Sequence, residues 1–196
     1  MKVYIIRHGE SECNRLDLRC GWSKTDLSEL GHKQAEAIRP YLEGIKFDRV
    51  YCSDLPRTVQ TAHHALPNAE LILTDKIREV HVGTLSDRPA SDCEAEYGES
   101  YRESMRLQDF RIFGGESQAQ MQERVRSFIS DLEKLEGVDT VAVVGHEGTL
   151  HQMLEVTLGT DILIDHIIMY NASVSVFEYV EGLGWRMLGW NFTGKL

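Results

Sequence analysis

The chain has 196 residues, 42% hydrophobic and 27% charged, and 21 Lys and Arg against 31 Asp and Glu leave a net charge of −10. That balance excludes nucleic acid and an anionic membrane surface as partners, because no basic stripe offers contacts along a polymer. A few arginines can still make a local cationic pocket for a small phosphorylated ligand.

Cys13, Cys20, Cys52 and Cys93 show neither C-x-x-C spacing nor the density of a disulfide framework. No run approaches the roughly 20 apolar residues of a membrane span, and the start of the chain has no room for a signal-peptide core. The expectation is one cytoplasmic domain, residues 1–196, with free thiols.

Lys2-Val3-Tyr4-Ile5-Ile6 predicts a short buried strand that stops at Arg7-His8-Gly9-Glu10. A cation and an imidazole then stand at a strand's carboxyl end, the edge where ligands bind in open α/β sheets. Gly9 is expected to let the backbone turn sharply or approach a ligand. The polar connection from Ser11 to Thr25 is long for a strand–helix loop and reads as part of a site. Ser28 reads as the cap of a helix carrying Leu30, Ala37, Ile38, Tyr41 and Leu42, kinked or cut short by Pro40 and closed at Gly44. Arg49-Val50-Tyr51-Cys52 is a second strand. A helix to about Ala65 follows, with Ser53 or Asp54 as cap and Pro56 in its first turn. Arg57 thus opens a helix beside a strand end, a second anion-attracting element.

Glu70-Leu71-Ile72-Leu73 is predicted as a third strand, followed by Ile77-Arg78-Glu79-Val80. Between Gly83 and Gly115 the pattern weakens, and the spacing of Tyr97, Tyr101 and Met105 predicts one or two short helices. Ser117-x-x-Gln120 is a capping box. It opens a helix with Met121, Val125, Phe128, Ile129, Leu132 and Leu135 on one face and Gly137 as its stop. Thr140 to Val144 has the continuous apolar character of a parallel strand covered on both faces, and it ends in Gly145-His146-Glu147-Gly148. A helix from about Leu150 to Leu158 follows. Ser173 to Tyr179 pairs with Trp185 to Trp190 as a hairpin at the sheet edge. The pattern is that of a doubly wound α/β domain.

Strand ends therefore carry His8 with Arg7, Arg57, and His146, with Glu79 just beyond a further strand. Phosphoryl transfer needs positioning and cations around the phosphate oxygens. A neutral histidine with one ring nitrogen tied to a backbone carbonyl can supply the nucleophile. Two arginines and a second histidine, protonated when phosphate is present, fit a clamp, and a protonated carboxyl group can serve the leaving oxygen and then the hydrolysing water. His63 and His64 are adjacent and cannot both face one site from a helix. His32, His81, His151 and His166 fall in no motif, and none is assigned to a metal.

The same residues resemble the histidine phosphatase superfamily, which includes the phosphoglycerate mutases. Arg7-His8-Gly9-Glu10 with Asn14 is similar to its opening signature, and Arg19-x-Gly21 with Asp26-Leu27-Ser28 to its next block. Ser53-Asp54-Leu55-x-Arg57-Thr58, Ile77-Arg78-Glu79, Gly114-Gly115-Glu116-Ser117 and Val144-Gly145-His146 resemble later ones. The resemblance implies a three-layer α/β/α fold with a mostly parallel central sheet. It implies His8 as the phosphohistidine-forming nucleophile, Glu79 as proton donor and acceptor, and Arg7, Arg57 and His146 as the phosphate pocket. Asn14 and Gly21 are implied as further substrate contacts, Asn14 alternatively as the cap of a turn. For the hydrolases it implies no metal or organic cofactor.

Three departures qualify it. Glu147 stands where the superfamily usually has glycine, so it either points away or selects a substrate bearing a cation. Leu85-Ser86-Asp87 replaces the usual Trp-Glu-Gly, and Cys20 precedes Gly21 where many mutases carry glutamine. The length and the ending Trp190 to Leu196 resemble the short phosphatases, including those acting on α-ribazole phosphate. The expected function is hydrolysis of a small phosphate monoester. The alternatives are a mutase or a catalytically lapsed phosphoester-binding protein.

Overall fold

In a computed structural model, which describes residues 1–159 and 167–194, the chain forms a six-stranded sheet between two helical layers. The strands are β1 (Lys2–Arg7), β2 (Arg49–Ser53), β3 (Leu71–Thr74), β4 (Thr140–Gly145), β5 (Ser173–Val180) and β6 (Gly184–Thr193), in the order β3-β2-β4-β1-β5-β6. β1, β2, β3 and β4 run parallel, and β5 and β6 add an antiparallel edge. Alternation along the parallel strands divides the core. Val3, Ile5, Val141 and Val143 face α7 (Gln118–Glu133) and α8 (Glu147–Leu158). Ile6, Val50, Cys52, Ala142 and Val144 face the other way, against α3 (Arg39–Leu42) and α4 (Pro56–Ala65), and α2 (Glu29–Ala37) packs on α4. A third cluster, with Val82, Cys93, Tyr101 and Phe110, ties α5 (Ala90–Tyr97) and α6 (Glu99–Leu107) to the loop after Glu79. Among the described residues no helix is long and apolar enough to cross a membrane.

The strand register decides what meets at the carboxyl edge. Arg7 pairs with Gly145 and Val144 with Cys52. One step beyond β1 and β4, His8 and His146 therefore lie side by side, and Ser53, which follows Cys52 on β2, stands level with Gly145. This is the crevice that an α/β sheet offers to ligands.

Several expectations are corrected. The Ser11–Thr25 connection contains a helical turn, α1 (Glu12–Arg15), with Ser11 and Asn14 forming its capping box. The helix after β2 is capped at Leu55, not at Ser53 or Asp54, because both of those side chains are engaged elsewhere. The helix after β4 starts at Glu147, three residues before the predicted Leu150. Pro40 does divide the Ser28-capped helix, leaving α2 and α3, but Leu30 and Tyr41 are exposed instead of lying on its buried face. A Cβ on Gly9 would lie 2.4 Å from the Gly31 carbonyl oxygen, so the residue is also a point of close backbone contact between the β1 loop and α2. His166 and the last two residues of the Trp190–Leu196 ending lie outside the described residues.

Candidate active site

β1 delivers His8 into a buried position at its carboxyl end. Its Nδ1 lies 2.6 Å from the carbonyl oxygen of Gly9. A carbonyl only accepts, so Nδ1 carries the proton and Nε2 keeps its lone pair. Arg57 Nε donates toward that Nε2 at 3.4 Å. Burial, then the charges of Arg57 and Arg7, hold the ring well below the usual imidazole value, so it is neutral. The backbone of His8 is tied as well, its carbonyl accepting from Ala172 N (3.0 Å) and Asn171 Nδ2 (3.2 Å).

Arg57 is completely buried in the first turn of α4. Its Nη1 donates to Ser23 O (3.0 Å) and its Nη2 to Gly21 O (2.9 Å), so two carbonyls of the α1–α2 connection aim the guanidinium at His8. This is the role of Gly21 in the structure: its carbonyl orients Arg57. Arg7 donates through Nη1 to Met169 O and pairs through Nη2 with Glu147 Oε2 at 2.9 Å. Its buried Nε has no acceptor among the described residues. Burial weighs against both guanidinium charges, and the carboxylate of Glu79 offsets part of that cost for each.

His146, fully buried, caps α8. Its Nε2 is 2.8 Å from the Ser53 hydroxyl, and its Nδ1 is buried without a partner among the described residues. Leu55 N donates to that same hydroxyl at 3.5 Å. We assign the hydroxyl proton toward Nε2 and the ring proton to Nδ1, the tautomer that leaves a ring N–H for an anionic ligand. Burial, then the charges of Arg57 and His8, keep this ring neutral also. The two imidazoles meet edge-on, with centroids 5.1 Å apart.

Glu79 follows no strand directly; it sits in a loop fastened at several points. Its Oε1 accepts from Val80 N (2.8 Å), and its Oε2 accepts from Gly148 N (3.3 Å) in the first turn of α8. A Cβ on Gly148 would come within 2.4 Å of Oε1, so a larger residue there would displace the carboxylate. The Glu79 carbonyl accepts from Trp22 Nε1 (2.6 Å) and Arg124 Nη2 (3.0 Å). Arg124 also reaches the carbonyls of Lys76 (2.9 Å) and Arg78 (2.8 Å), and is itself paired with Glu116. Arg78 forms a two-pronged pair with Asp54 and lies over the Trp22 ring.

The structure thus brings His8, Arg7, Arg57, His146 and Glu79 to one sheet edge, as the sequence predicts. Asn14 contributes its Oδ1 to the α1 cap, accepting from Ser11 N (3.1 Å) and Ser11 Oγ (2.8 Å), while its Nδ2 approaches Cys20 Sγ. Glu147 does not point away, since it holds Arg7. Among the described residues no group of three or more His, Cys, Asp and Glu is placed to hold a metal ion.

Residues 3–193 match the family described as the histidine phosphatase superfamily, branch 1. The chain belongs to this superfamily. Phosphoserine phosphatase 1 of Hydrogenobacter thermophilus is 34% identical over 167 residues, 83% of this chain and 78% of that protein. Adenosylcobalamin/alpha-ribazole phosphatase of Escherichia coli is 30% identical over 164 residues, 81% of this chain and 80% of the relative. The crystal structure of the alpha-ribazole phosphatase from Shigella flexneri shares the fold with a TM-score of 0.87 at 24% identity, covering 98% of this chain and 96% of that one.

In this superfamily chain the residues that sequence reasoning missed are those that hold the site rather than line it. Ser53 was read as a helix cap but orients His146. Arg124 lies among the apolar positions of α7 and clamps the Glu79 loop. One signal was available for Ser53: two cap candidates, Ser53 and Asp54, stood before one helix that needs only one. Arg124 left none, because its acceptors are backbone carbonyls distant in sequence.

Proposed function

We propose that this chain is a phosphomonoesterase that hydrolyses a small phosphorylated metabolite through a phosphohistidine on His8, as one domain spanning residues 1–196 in the cytoplasm. The four free thiols accord with such a compartment. The observation that carries the chemistry is the His8 ring, held neutral with Nδ1 on the Gly9 carbonyl and Nε2 open beside Arg57. Nε2 attacks phosphorus, and the bond from phosphorus to the alcohol oxygen breaks as Glu79 gives that oxygen a proton. Water then attacks the phosphohistidine, Glu79 takes a proton from it, and the N–P bond breaks to release inorganic phosphate. Arg7, Arg57 and the Nδ1–H of His146 donate to the phosphate oxygens, assisted by the N-termini of α4 and α8. Asn14 and Gly21 support the pocket by holding the α1 turn and Arg57.

The names of the relatives, phosphoserine phosphatase and alpha-ribazole phosphatase, support hydrolysis of a small ester. A mutase would return the phosphoryl group to the substrate instead of to water. The test is rapid acid-free quenching of a reaction with a labelled aryl phosphate. Wild-type protein is expected to release phosphate and to carry an acid-labile, base-stable label that His8→Ala lacks. A labelled His8→Ala protein would falsify the covalent assignment, and label passed to acceptor alcohols with no phosphate released would make the chain a mutase.

A further inference from the structure

We propose that Cys13 and Cys20 form a redox-sensitive dithiol that hydrogen peroxide closes to a disulfide. Resting on the phosphatase reading, closure lowers turnover by displacing Arg57. Leu18 N donates to Cys13 O at 2.9 Å and folds the chain back on itself. Both sulfurs then lie 3.6 Å from one acceptor, the Leu18 carbonyl oxygen. The two thiols are within hydrogen-bond reach of each other. Cys52 and Cys93 are buried in two separate hydrophobic clusters.

The pair is asymmetric. Cys13 is 1% exposed, whereas Cys20 is half-buried and lines a cleft of about 260 Å³ with Asn14, Gly21 and Glu79. Asn14 Nδ2 donates toward Cys20 Sγ at 3.6 Å, a contact that favours the thiolate. The hydrogen bond with Cys13, and against the cost of burial the charge of Arg57, hold the Cys20 thiol below its ordinary value. The same bond, then burial, pushes the Cys13 thiol up. Cys20 is therefore the nucleophile and Cys13 the resolving thiol beside it. The Cys20 thiolate attacks peroxide: an S–O bond forms, the O–O bond breaks, and the departing hydroxide takes up the proton that Cys20 gave up. The Cys13 sulfur then attacks the sulfenic sulfur. The S–S bond forms, the S–O bond breaks, and the Cys13 proton leaves with that oxygen as a second water. Two thiols are oxidised and one peroxide is reduced to two waters. In a reducing compartment such a link is transient, as a redox signal requires.

Closure reaches Arg57 through two short links. A disulfide brings its sulfurs to about 2.05 Å, closer than separate thiols approach, so Cys20 is drawn toward Cys13. Cys20 O accepts from Ser23 N at 2.8 Å, and the carbonyls of Gly21 and Ser23 hold the two Nη atoms of Arg57.

The experiment exposes the full chain to hydrogen peroxide, alkylates it in denaturant without reductant, and maps the peptides by mass spectrometry. Wild-type protein is expected to show a Cys13–Cys20 link that dithiothreitol cleaves, with Cys52 and Cys93 alkylated. Cys13→Ser should leave Cys20 as a sulfenic acid that dimedone traps, and Cys20→Ser should slow loss of the Cys13 thiol about tenfold. Oxidised Cys20 without a link in wild type, or a link to Cys52 or Cys93, overturns the dithiol. Cys13 lost as fast in Cys20→Ser overturns Cys20 as the nucleophile. Phosphate release from 4-nitrophenyl phosphate should fall about tenfold or more on oxidation, return with dithiothreitol, and keep its own untreated rate in Cys20→Ser. An unchanged rate in fully linked protein overturns the coupling to Arg57. Reduced protein that releases no phosphate sinks the phosphatase reading, while the mapped link still decides the dithiol.

Discussion

The ends of β1 and β4 carry the same local pattern, a strand followed by a histidine, and the register sets them side by side. They nevertheless present opposite faces of the same ring. At the end of β1 the Gly9 carbonyl accepts from Nδ1 of His8 and leaves the Nε2 lone pair facing Arg57 Nε at 3.4 Å. At the end of β4 the Ser53 hydroxyl occupies Nε2 of His146 and leaves a buried Nδ1–H. Both rings have the same assigned tautomer, but one offers a lone pair and the other a donor. The flanking charges diverge as well: Arg7 precedes the first histidine and Glu147 follows the second, and the two pair across the strand ends. In the proposed mechanism, what separates the nucleophile from the phosphate donor is the hydrogen-bond partner, supplied by the residue after His8 in one case and by a different strand in the other.

The sharpest break of this comparison is substitution of each ring. His8→Ala is expected to reduce turnover to the detection limit. His146→Ala, which removes a donor and leaves the nucleophile, should cost about 10²–10³ in kcat and still form the phosphohistidine. Equal losses of labelling in the two variants would end the distinction.

A second test uses pH, because both rings stay neutral in the folded protein well below the usual imidazole value. Below about pH 6.5 the unfolded chain takes up protons that His8, His146 and, to a lesser degree, His151 refuse in the folded chain. Stability present above that pH is therefore lost on acidification, at up to about 1.4 kcal/mol per pH unit for each histidine. Urea unfolding at pH 7.5, 6.5 and 5.5 reads the slope, and His146→Gln should lower it by up to about 1.4 kcal/mol per pH unit. A slope that His146→Gln leaves unchanged removes the neutral-ring assignment.

Ser53→Ala should cost about tenfold in kcat, the scale of one hydrogen bond that fixes a tautomer. Phosphate release by wild type and variant checks it, and an unaltered rate would mean that His146 is oriented by its strand alone. The smallest effect belongs to Glu147. Its partly exposed carboxylate competes for Arg7, so Glu147→Gln should tighten inhibition by orthovanadate about two- to fivefold. Weaker inhibition would show that Glu147 orders Arg7 for phosphate instead of competing for it.

Most of the site's chemical inventory was legible in the sequence, for local reasons. Apolar runs that stop at charged residues mark strand ends, and Pro56 marks the helix start that carries Arg57. The supporting contacts were not legible. Glu79 looked like the sequel to a strand, yet it is held by Trp22, Arg124 and Gly148, residues drawn from three separate stretches. Asn14 shows the limit from the other side. Its position after His8 suggested a substrate contact, and the structure gives its Oδ1 to the α1 cap, a local interaction that competes for the same side chain.

The sequence by itself determined the parallel α/β pattern, the strand-end placement of His8 and His146, and the acidic balance of the chain. Those properties follow from periodicity, turn chemistry and charge, which act over a few residues. The tertiary structure alone decided which hydrogen-bond partners each histidine meets and that Glu147 holds Arg7. Each of these depends on hydrogen-bond partners or neighbours that strand register and loop packing bring together from distant parts of the chain.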